Sequence, residues 1–567
     1  MYSKVARTLR ELGIDFSTEE SVLAKYATDE SVFSVMPQMV VIPHSTEEVQ
    51  KIVRTVAGYT QDYPEISLTV RAAGTGLSGG SLNDSIIMDV KHLSGMEEIV
   101  KTENGGATLR VAPGTYFRDI HALVHQEGLD FPVFPSSWRI CTMGGMVANN
   151  AAGPNSLKYG HTSEFVESLE VVMHDGVLNT FEPISYKKLE QELRRADSVG
   201  ALYSFMWSKL QSDFDSVKRT KPDSSKNSAG YELWDVLQAD SVEAFINGEG
   251  TINMIHAFCG AQGTIGIITN ITIRLIEKTQ ESSLLVVPVY EIERLGEIIQ
   301  TLLKENPYNI ELFDDITYRL ALKNPGFFKT FFTQVGNQGE STWLGFVYHL
   351  YKTYVLGLKM KIPKMTLMVK FDAPSQAEAD RSLKGITNKI KGMPGCAAYL
   401  VTNKKEEDMF WRIRGSSYSL AKLTPEDNRP AAFLEDMVVA PEHIPAFLAS
   451  VKEKLEEHKL QYAVHGHGGN GHFHFYPLFD FTDPETPERL YKIAHEFYTL
   501  AEEHEGNICG EHNDGIMRTP FLGKIFSDQE IALFEEFEHV ADPEDIFNPG
   551  KKVNPKFDIR GSMRTTN

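Results

Sequence analysis

Apolar positions in the first 280 residues fall in short runs separated by glycine-rich turns. Residues 38–43, 67–71, 85–90, 107–112 and 168–173 read as strands; apolar and β-branched residues bounded by turn formers favour a pleated chain. Between the first two, Ser45-Thr46-Glu47-Glu48 sets a capping hydroxyl ahead of acids, which predicts a helix start. The pattern changes near residue 280. Ser282–Tyr290, Met365–Phe371 and Ala431–Val439 look like strands, whereas Glu442–His458 and Asp528–Val540 have helical spacing. The expectation is an α+β fold without repeats or low-complexity tracts. At 567 residues the chain is too long for one core. The predicted division is 1–280, 281–505 and a segment 506–567 that returns to the first part.

Composition narrows the function. The net charge of -21 argues against a nucleic-acid surface, which needs clustered Lys and Arg. A small anionic substrate stays in play, because a pocket needs only one or two local cations. Cys141, Cys259, Cys396 and Cys509 are far apart, so neither a disulfide framework nor an iron–sulfur motif is legible. They read as buried thiols in a reducing compartment. The N-terminus lacks the apolar region of a secretory signal, and no stretch is long and apolar enough to span a bilayer. Residues 326–361, aromatic-rich and interleaved with Lys, fit either a membrane-surface segment or helices packed on their own domain.

The first candidate chemistry lies in Arg71-Ala72-Ala73-Gly74-Thr75-Gly76-Leu77-Ser78-Gly79-Gly80, directly after a strand. Four glycines in seven residues permit positive φ and close backbone approach, and successive N–H groups in such a turn form a nest suited to pyrophosphate. The spacing matches neither a G-x-G-x-x-G fingerprint nor a Walker loop. Two further segments follow: Pro135-Ser136-Ser137 with Thr142-Met143-Gly144-Gly145-Met146-Val147-Ala148-Asn149-Asn150-Ala151-Ala152-Gly153, and Cys259-Gly260-Ala261-Gln262-Gly263-Thr264-Ile265-Gly266-Ile267-Ile268.

In this order the three segments resemble the FAD-binding (PCMH-type) domain of vanillyl-alcohol oxidase-type flavoproteins. The likeness extends to Pro43 and to Ser156-Leu157-Lys158-Tyr159-Gly160. It implies a two-part FAD-binding domain plus an α+β cap domain with an antiparallel sheet. It also implies that residues 72–80, after Arg71, wrap the pyrophosphate. The resemblance further implies that Gly144, Gly145, Ala148, Asn149, Asn150, Gly153, Tyr159 and Gly160 line the isoalloxazine and ribityl side, with Pro135, Ser136, Thr142 and Asn548 also among the cofactor-binding residues. Gly263, Ile265, Ile267 and Ile268 lie near the adenosine. Gln262 replaces a frequent Glu. Residues 71–82 hold no His or Cys, so the flavin is expected to be non-covalent.

The second constellation is His465-Gly466-His467-Gly468-Gly469-Asn470-Gly471-His472-Phe473-His474, with Gly510-Glu511-His512-Asn513 downstream. A hairpin there would bring His467 near His474, and strand alternation pairs His465 with His467 on one face and His472 with His474 on another. Neutral imidazoles plus a carboxylate suit Zn, Mn or Fe(II). The segments resemble the metal site of FAD-linked D-lactate, D-2-hydroxyglutarate and glycolate dehydrogenases, G-H-x-G-D-G-N-x-H followed by G-E-H-G. That resemblance implies His467, His474 and Glu511 as metal ligands and His512 as catalytic base. Asn470, His472 and Asn513 depart from it, at positions where the substrate side chain would be sensed. Phe410-Trp411-Arg412-Ile413-Arg414 resembles a W-x-x-R segment whose last arginine clamps the substrate carboxylate, with Arg414 first and Arg412 second; Arg429 would serve a second carboxylate. The ending Asp542-Pro543 to Asn548-Pro549-Gly550-Lys551 also matches these enzymes.

The implied activity is oxidation of a small D-2-hydroxy acid to the 2-keto acid with non-covalent FAD and a divalent metal. Electrons would pass to a quinone, an electron-transfer flavoprotein or an iron–sulfur subunit. The expected location is the cytoplasm or the inner face of a membrane; membrane contact and a homodimer stay open. Rival readings are an alkylglycerone-phosphate synthase-like or aldonolactone oxidase-like flavoprotein, and a non-catalytic flavoprotein subunit.

Overall fold

The computed structural model describes residues 1–102, 106–278, 281–316, 362–373, 376–401, 404–421 and 428–564. The aromatic segment 326–361 lies outside them.

Met39–Ile42, Ile86–Asp89 and Leu68–Arg71 form a parallel sheet with Asp15–Ser17 added antiparallel at one edge. These strands are almost continuously apolar, as parallel strands covered on both faces require. Helix Thr46–Thr60 connects two of them. The Ser45 side chain accepts from the Glu48 N–H, and Val49, Ile52, Val53 and Val56 recur at helical spacing toward the sheet. Residues beyond 540 close against this sheet: the Leu68 N–H donates to Ile546 O and the Asn548 N–H to Leu68 O.

A second sheet is antiparallel, with Ile267–Glu277 between Ala107–Val111 and Val166–Val172, and Val100–Lys101 and Leu178–Phe181 at its edges. The third has eight strands, all antiparallel. Its order runs Tyr399–Val401, Glu281–Val289, Met365–Ala373, Asn309–Asp314, Tyr462–His467, His472–Asp480, Asn428–Pro430, and Met437–Val438 pairs with His472–Asp480 as well. The continuous strand expected over Ala431–Val439 is interrupted. Residues 431–436 turn, and only Met437–Val438 is strand. Asp436, at φ 83, sits in the left-handed region that a strand cannot contain. Among the described residues no helix is long and apolar enough to cross a membrane.

Candidate active site

The histidine segment folds as a hairpin, Tyr462–His467 against His472–Asp480, turned by Gly468–Asn470 and Gly471 at φ 62. Its register sets His465 opposite His474 and His467 opposite His472. Directly opposed residues of an antiparallel pair share a face. All four imidazoles therefore stand on one face, which corrects the division into two faces expected from alternation along each strand alone. Ring centroids lie 5.2 Å apart for His465–His474, 5.4 Å for His467–His474 and 4.3 Å for His472–His474.

Glu511 meets this face. Its Oε1 lies 3.1 Å from His467 Nε2 and 3.3 Å from His474 Nε2. The other ring nitrogens are committed elsewhere: His467 Nδ1 is 2.6 Å from Glu311 Oε1, and His474 Nδ1 is 3.2 Å from Glu435 Oε2. With each Nδ1–H given to its carboxylate, a cation placed between them would meet the Nε2 lone pairs of both rings together with Glu511 Oε1. Three converging acceptors call for a cation. Ligands bound tetrahedrally to zinc at about 2.0–2.1 Å are roughly 3.3 Å apart. The donor set and its spacing fit a divalent metal, and the two carboxylate–histidine contacts are the supports such ligands usually have.

His472 also lies within ligand distance of this group, but both of its nitrogens are engaged. Nε2 is 2.9 Å from Asp436 Oδ1 and Nδ1 is 3.4 Å from Lys226 Nζ. Lys226, wholly buried, also donates to Glu511 Oε2 at 2.5 Å, which leaves Oε1 as that carboxylate's ligand atom. Burial opposes ionisation of Glu511, yet Lys226 and His467 hold its pKa well below the usual carboxylate range.

His512 Nδ1 bonds Glu435 Oε2, and its Nε2 stands 3.7 Å from Glu511 Oε1. Burial works against its charged form, but Glu435 and Asp436 raise its pKa to about 9. Asp436 fixes the Glu511-His512 backbone by accepting both N–H groups, each at 2.9 Å. Arg414, on helix Lys404–Ala421, donates from Nε to Glu311 Oε2 at 2.8 Å. Burial opposes the charge of Glu311, but His467 and Arg414 keep its pKa low. Arg412 lies on the same helix and Arg429 on the strand Asn428–Pro430; their side chains are outside the described residues.

A cavity of about 620 Å³ reaches this cluster. Ala72, Ala73, Gly74, Thr75, Gly76, Leu77 and Ser78 form one wall, and Pro135, Ser136, Thr142, Gly144, Gly145, Ala148 and Asn149 a second. Gly263, Ile265 and Ile268 add a third, and Arg414, His465, His474, Tyr476, Glu511 and His512 close one end. At Gly144 the cradle leaves no room for a side chain. A Cβ on Gly144, at the start of helix Met143–Asn149, would lie 2.5 Å from Pro113 Cβ and 2.8 Å from its carbonyl oxygen.

Other expected cofactor residues stand behind these walls. Arg71 turns its guanidinium to the carbonyls of Tyr26 and Thr28, beneath Gly74. Asn548 ties the first wall to the third, donating to Gly80 O at 2.8 Å and Gln262 O at 2.7 Å. Asn150 ends its helix at φ 47 and donates to Glu232, while Ile267 is in the core. Pro43 is buried after its strand, Gly153 packs on the Phe134 carbonyl, and Tyr159, preceding Gly160, packs on Phe165 and Tyr308.

The three departures from the dehydrogenase pattern do not line the cavity, contrary to their expected role in sensing the substrate. Asn470 Oδ1 accepts from Ser156 Oγ, His472 is occupied as above, and Asn513 donates to Gly260 O and accepts from Lys552.

Comparison with known families decides what this cavity belongs to. Residues 37–182 match the family model described as FAD binding domain, and residues 278–552 the one described as FAD linked oxidases, C-terminal domain. Between them the two models cover an FAD binding domain and the C-terminal domain of FAD linked oxidases.

Similar proteins include a D-2-hydroxyglutarate dehydrogenase of Pseudomonas putida, 24% identical over 98% of this chain and 52% of that protein. The glycolate oxidase subunit GlcD of Bacillus subtilis is 23% identical over 92% and 89%. A D-lactate dehydrogenase of Archaeoglobus fulgidus is 26% identical over 93% and 95%. The chain spans about half the length of the D-2-hydroxyglutarate dehydrogenases it matches. Among solved structures, 4-ethylphenol oxidase from Gulosibacter chungangensis superposes with a TM-score of 0.65 at 14% identity, covering 97% of both chains. An alkyldihydroxyacetonephosphate synthase gives 0.64 at 14%, covering 97% of this chain and 86% of that one. The fold is that of the vanillyl-alcohol oxidase-type flavoproteins.

Sequence reasoning missed several residues of this site: Lys226, Glu311, Glu435, Asp436, Arg518 and the place of His465 in the cavity lining. Glu311 and the Glu435-Asp436 pair do carry a signal, since each interrupts an apolar run, where an acid without a partner would be costly. Lys226 and Arg518 carry none.

Proposed function

We propose that the protein oxidises a D-2-hydroxy acid to the 2-keto acid, with non-covalent FAD along the glycine walls and a divalent metal on His467, His474 and Glu511. The observation that carries this reading is one cavity lined both by the glycine cradle and by His474 and Glu511, with His467 in contact with Glu511. FAD supplies a two-electron acceptor for the C2 hydrogen and its electron pair, and the metal a Lewis acid for the hydroxyl oxygen. Arg414 holds the substrate carboxylate, its guanidinium oriented by Glu311. His512 takes the hydroxyl proton at Nε2, its ring fixed through Nδ1 by Glu435. His512, whose imidazolium Glu435 and Asp436 favour, would be freed to take a proton at this nitrogen when Glu511 holds a dication. A quinone, an electron-transfer flavoprotein or an iron–sulfur subunit would then accept the electrons.

The test is anaerobic flavin reduction by a panel of D- and L-2-hydroxy acids, before and after chelation. Bleaching by a D-acid, abolished by chelator and restored by Zn or Mn, is the expected result. His512→Ala should slow that bleaching by roughly 10²–10⁴-fold. A flavoprotein that no hydroxy acid bleaches would overturn the reading and favour synthase-like chemistry or a non-catalytic role.

A further inference from the structure

Away from the cavity, two histidines one helical turn apart meet an aspartate. His121 and His125 lie on helix Phe117–Gln126, which buries Phe117, Ile120 and Val124 in the core. Residues four apart share a helix face, and the two imidazoles touch, with ring centroids 3.8 Å apart. Asp130 reaches them from strand Leu129–Asp130, which is held by pairing with Ile276 and Glu277. Its Oδ1 is 3.0 Å from His125 Nε2, and one donor atom from each of the three residues lies within 4.8 Å of the others. The His125 side chain is 26% exposed and that of Asp130 19%, so the group has fixed walls yet is reachable from solvent. His121 makes no hydrogen bond among the described residues. Burial, with His125 and Lys278, lowers its pKa against the pull of Asp130, and a neutral ring offers a lone pair.

We infer that His121, His125 and Asp130 form a second divalent-metal site, which takes a borderline ion such as zinc and ties helix Phe117–Gln126 to the strand beside it. Two imidazoles and a carboxylate are a donor set that zinc accepts, with water completing the coordination. The His125–Asp130 separation is close to the roughly 3.3 Å between two ligands of one tetrahedral zinc. Without an ion that contact is a hydrogen bond. When the ion binds, the neutral imidazole carries its proton on Nδ1, and Nε2 turns its lone pair to the metal. Soon after Asp130 the chain reaches Pro135, Ser136 and Ser137, which line the cavity, and Trp138 packs on His121 with centroids 4.9 Å apart. An ion here anchors the start of that wall without touching the ligands or base of the proposed reaction, and the site stands whether or not that reaction does.

The experiment titrates zinc by calorimetry into the full, metal-stripped chain and its His121→Gln and Asp130→Asn variants, with circular dichroism and flavin content confirming the fold. Wild type is expected to bind one equivalent more than either variant, with a dissociation constant of about 10 µM or tighter. His467→Gln should keep this extra equivalent. Zinc should also raise the melting temperature of wild type more than that of the two variants, since an ion that binds only the folded chain stabilises it. Equal stoichiometry in wild type and both variants, or an extra equivalent taken up only at millimolar zinc, overturns the site and leaves a histidine–aspartate hydrogen bond. An extra equivalent with equal melting shifts overturns the tie between helix and strand. One equivalent in wild type and none in His121→Gln supports this site while removing the metal from the reaction proposed above.

Discussion

Glu435 and Arg518 form an ion pair of 2.5 Å in which neither side chain reaches solvent. Through its second oxygen the same carboxylate holds both His474 and His512. Burial would raise its pKa, but His512 and Arg518 keep it well below the usual range. One buried pair thus sits beneath both the candidate base and a candidate metal ligand.

Breaking it should be severe. Arg518→Met leaves Glu435 charged and buried without the guanidinium that pairs with its Oε1, at a cost of about 3–5 kcal/mol. Denaturant unfolding should show a lower midpoint. A midpoint within error of wild type would mean that the surrounding histidines suffice.

Glu311→Gln tests the support behind His467. The variant keeps shape and burial but removes the carboxylate that orients the ring and pairs with Arg414. Metal affinity, measured by chelator competition, should fall roughly 10–100-fold. An unchanged affinity would remove His467 from the ligand set.

Gly144→Ala tests the cradle. The added methyl collides with the Pro113 backbone and ring, so helix Met143–Asn149 must shift into the cavity. Flavin retained through gel filtration should drop at least about tenfold, with secondary structure by circular dichroism kept. Full retention would place the flavin elsewhere.

A pH dependence follows from Glu538. Burial raises its carboxyl to about 8 against an ordinary 4.5, with Tyr231 donating to it and Asp545 and Asp542 adding to the rise. The folded chain therefore binds a proton that the unfolded chain releases between those values. The stabilisation is complete below about pH 4.5 and lost as pH rises through about 8, with a slope near 1.4 kcal/mol per pH unit between them. Glu538→Gln should flatten the decline in melting temperature from pH 5 to 8. An unaltered slope would assign it to other groups.

Much of this protein was written locally. Strands such as Met39–Ile42 and Glu281–Val289 and helices such as Thr46–Thr60 follow from apolar runs, spacing and caps that span few residues. The glycine segments and the histidine-rich run stood out as candidates for the same reason, since close backbone approach and clustered imidazoles each show as particular residue types at short spacing. What the sequence could not decide were relations across the chain. Whether His465 shares a face with His474 depends on hairpin register, and alternation along one strand does not contain it. Lys226 meets Glu511 across 285 positions, and Arg414 meets Glu311 across 103. Such buried charges persist only where tertiary packing delivers a counter-charge to each. The residue types and local spacing determined which chemistry was available; the packing of the third sheet against the glycine walls decided which groups face one another.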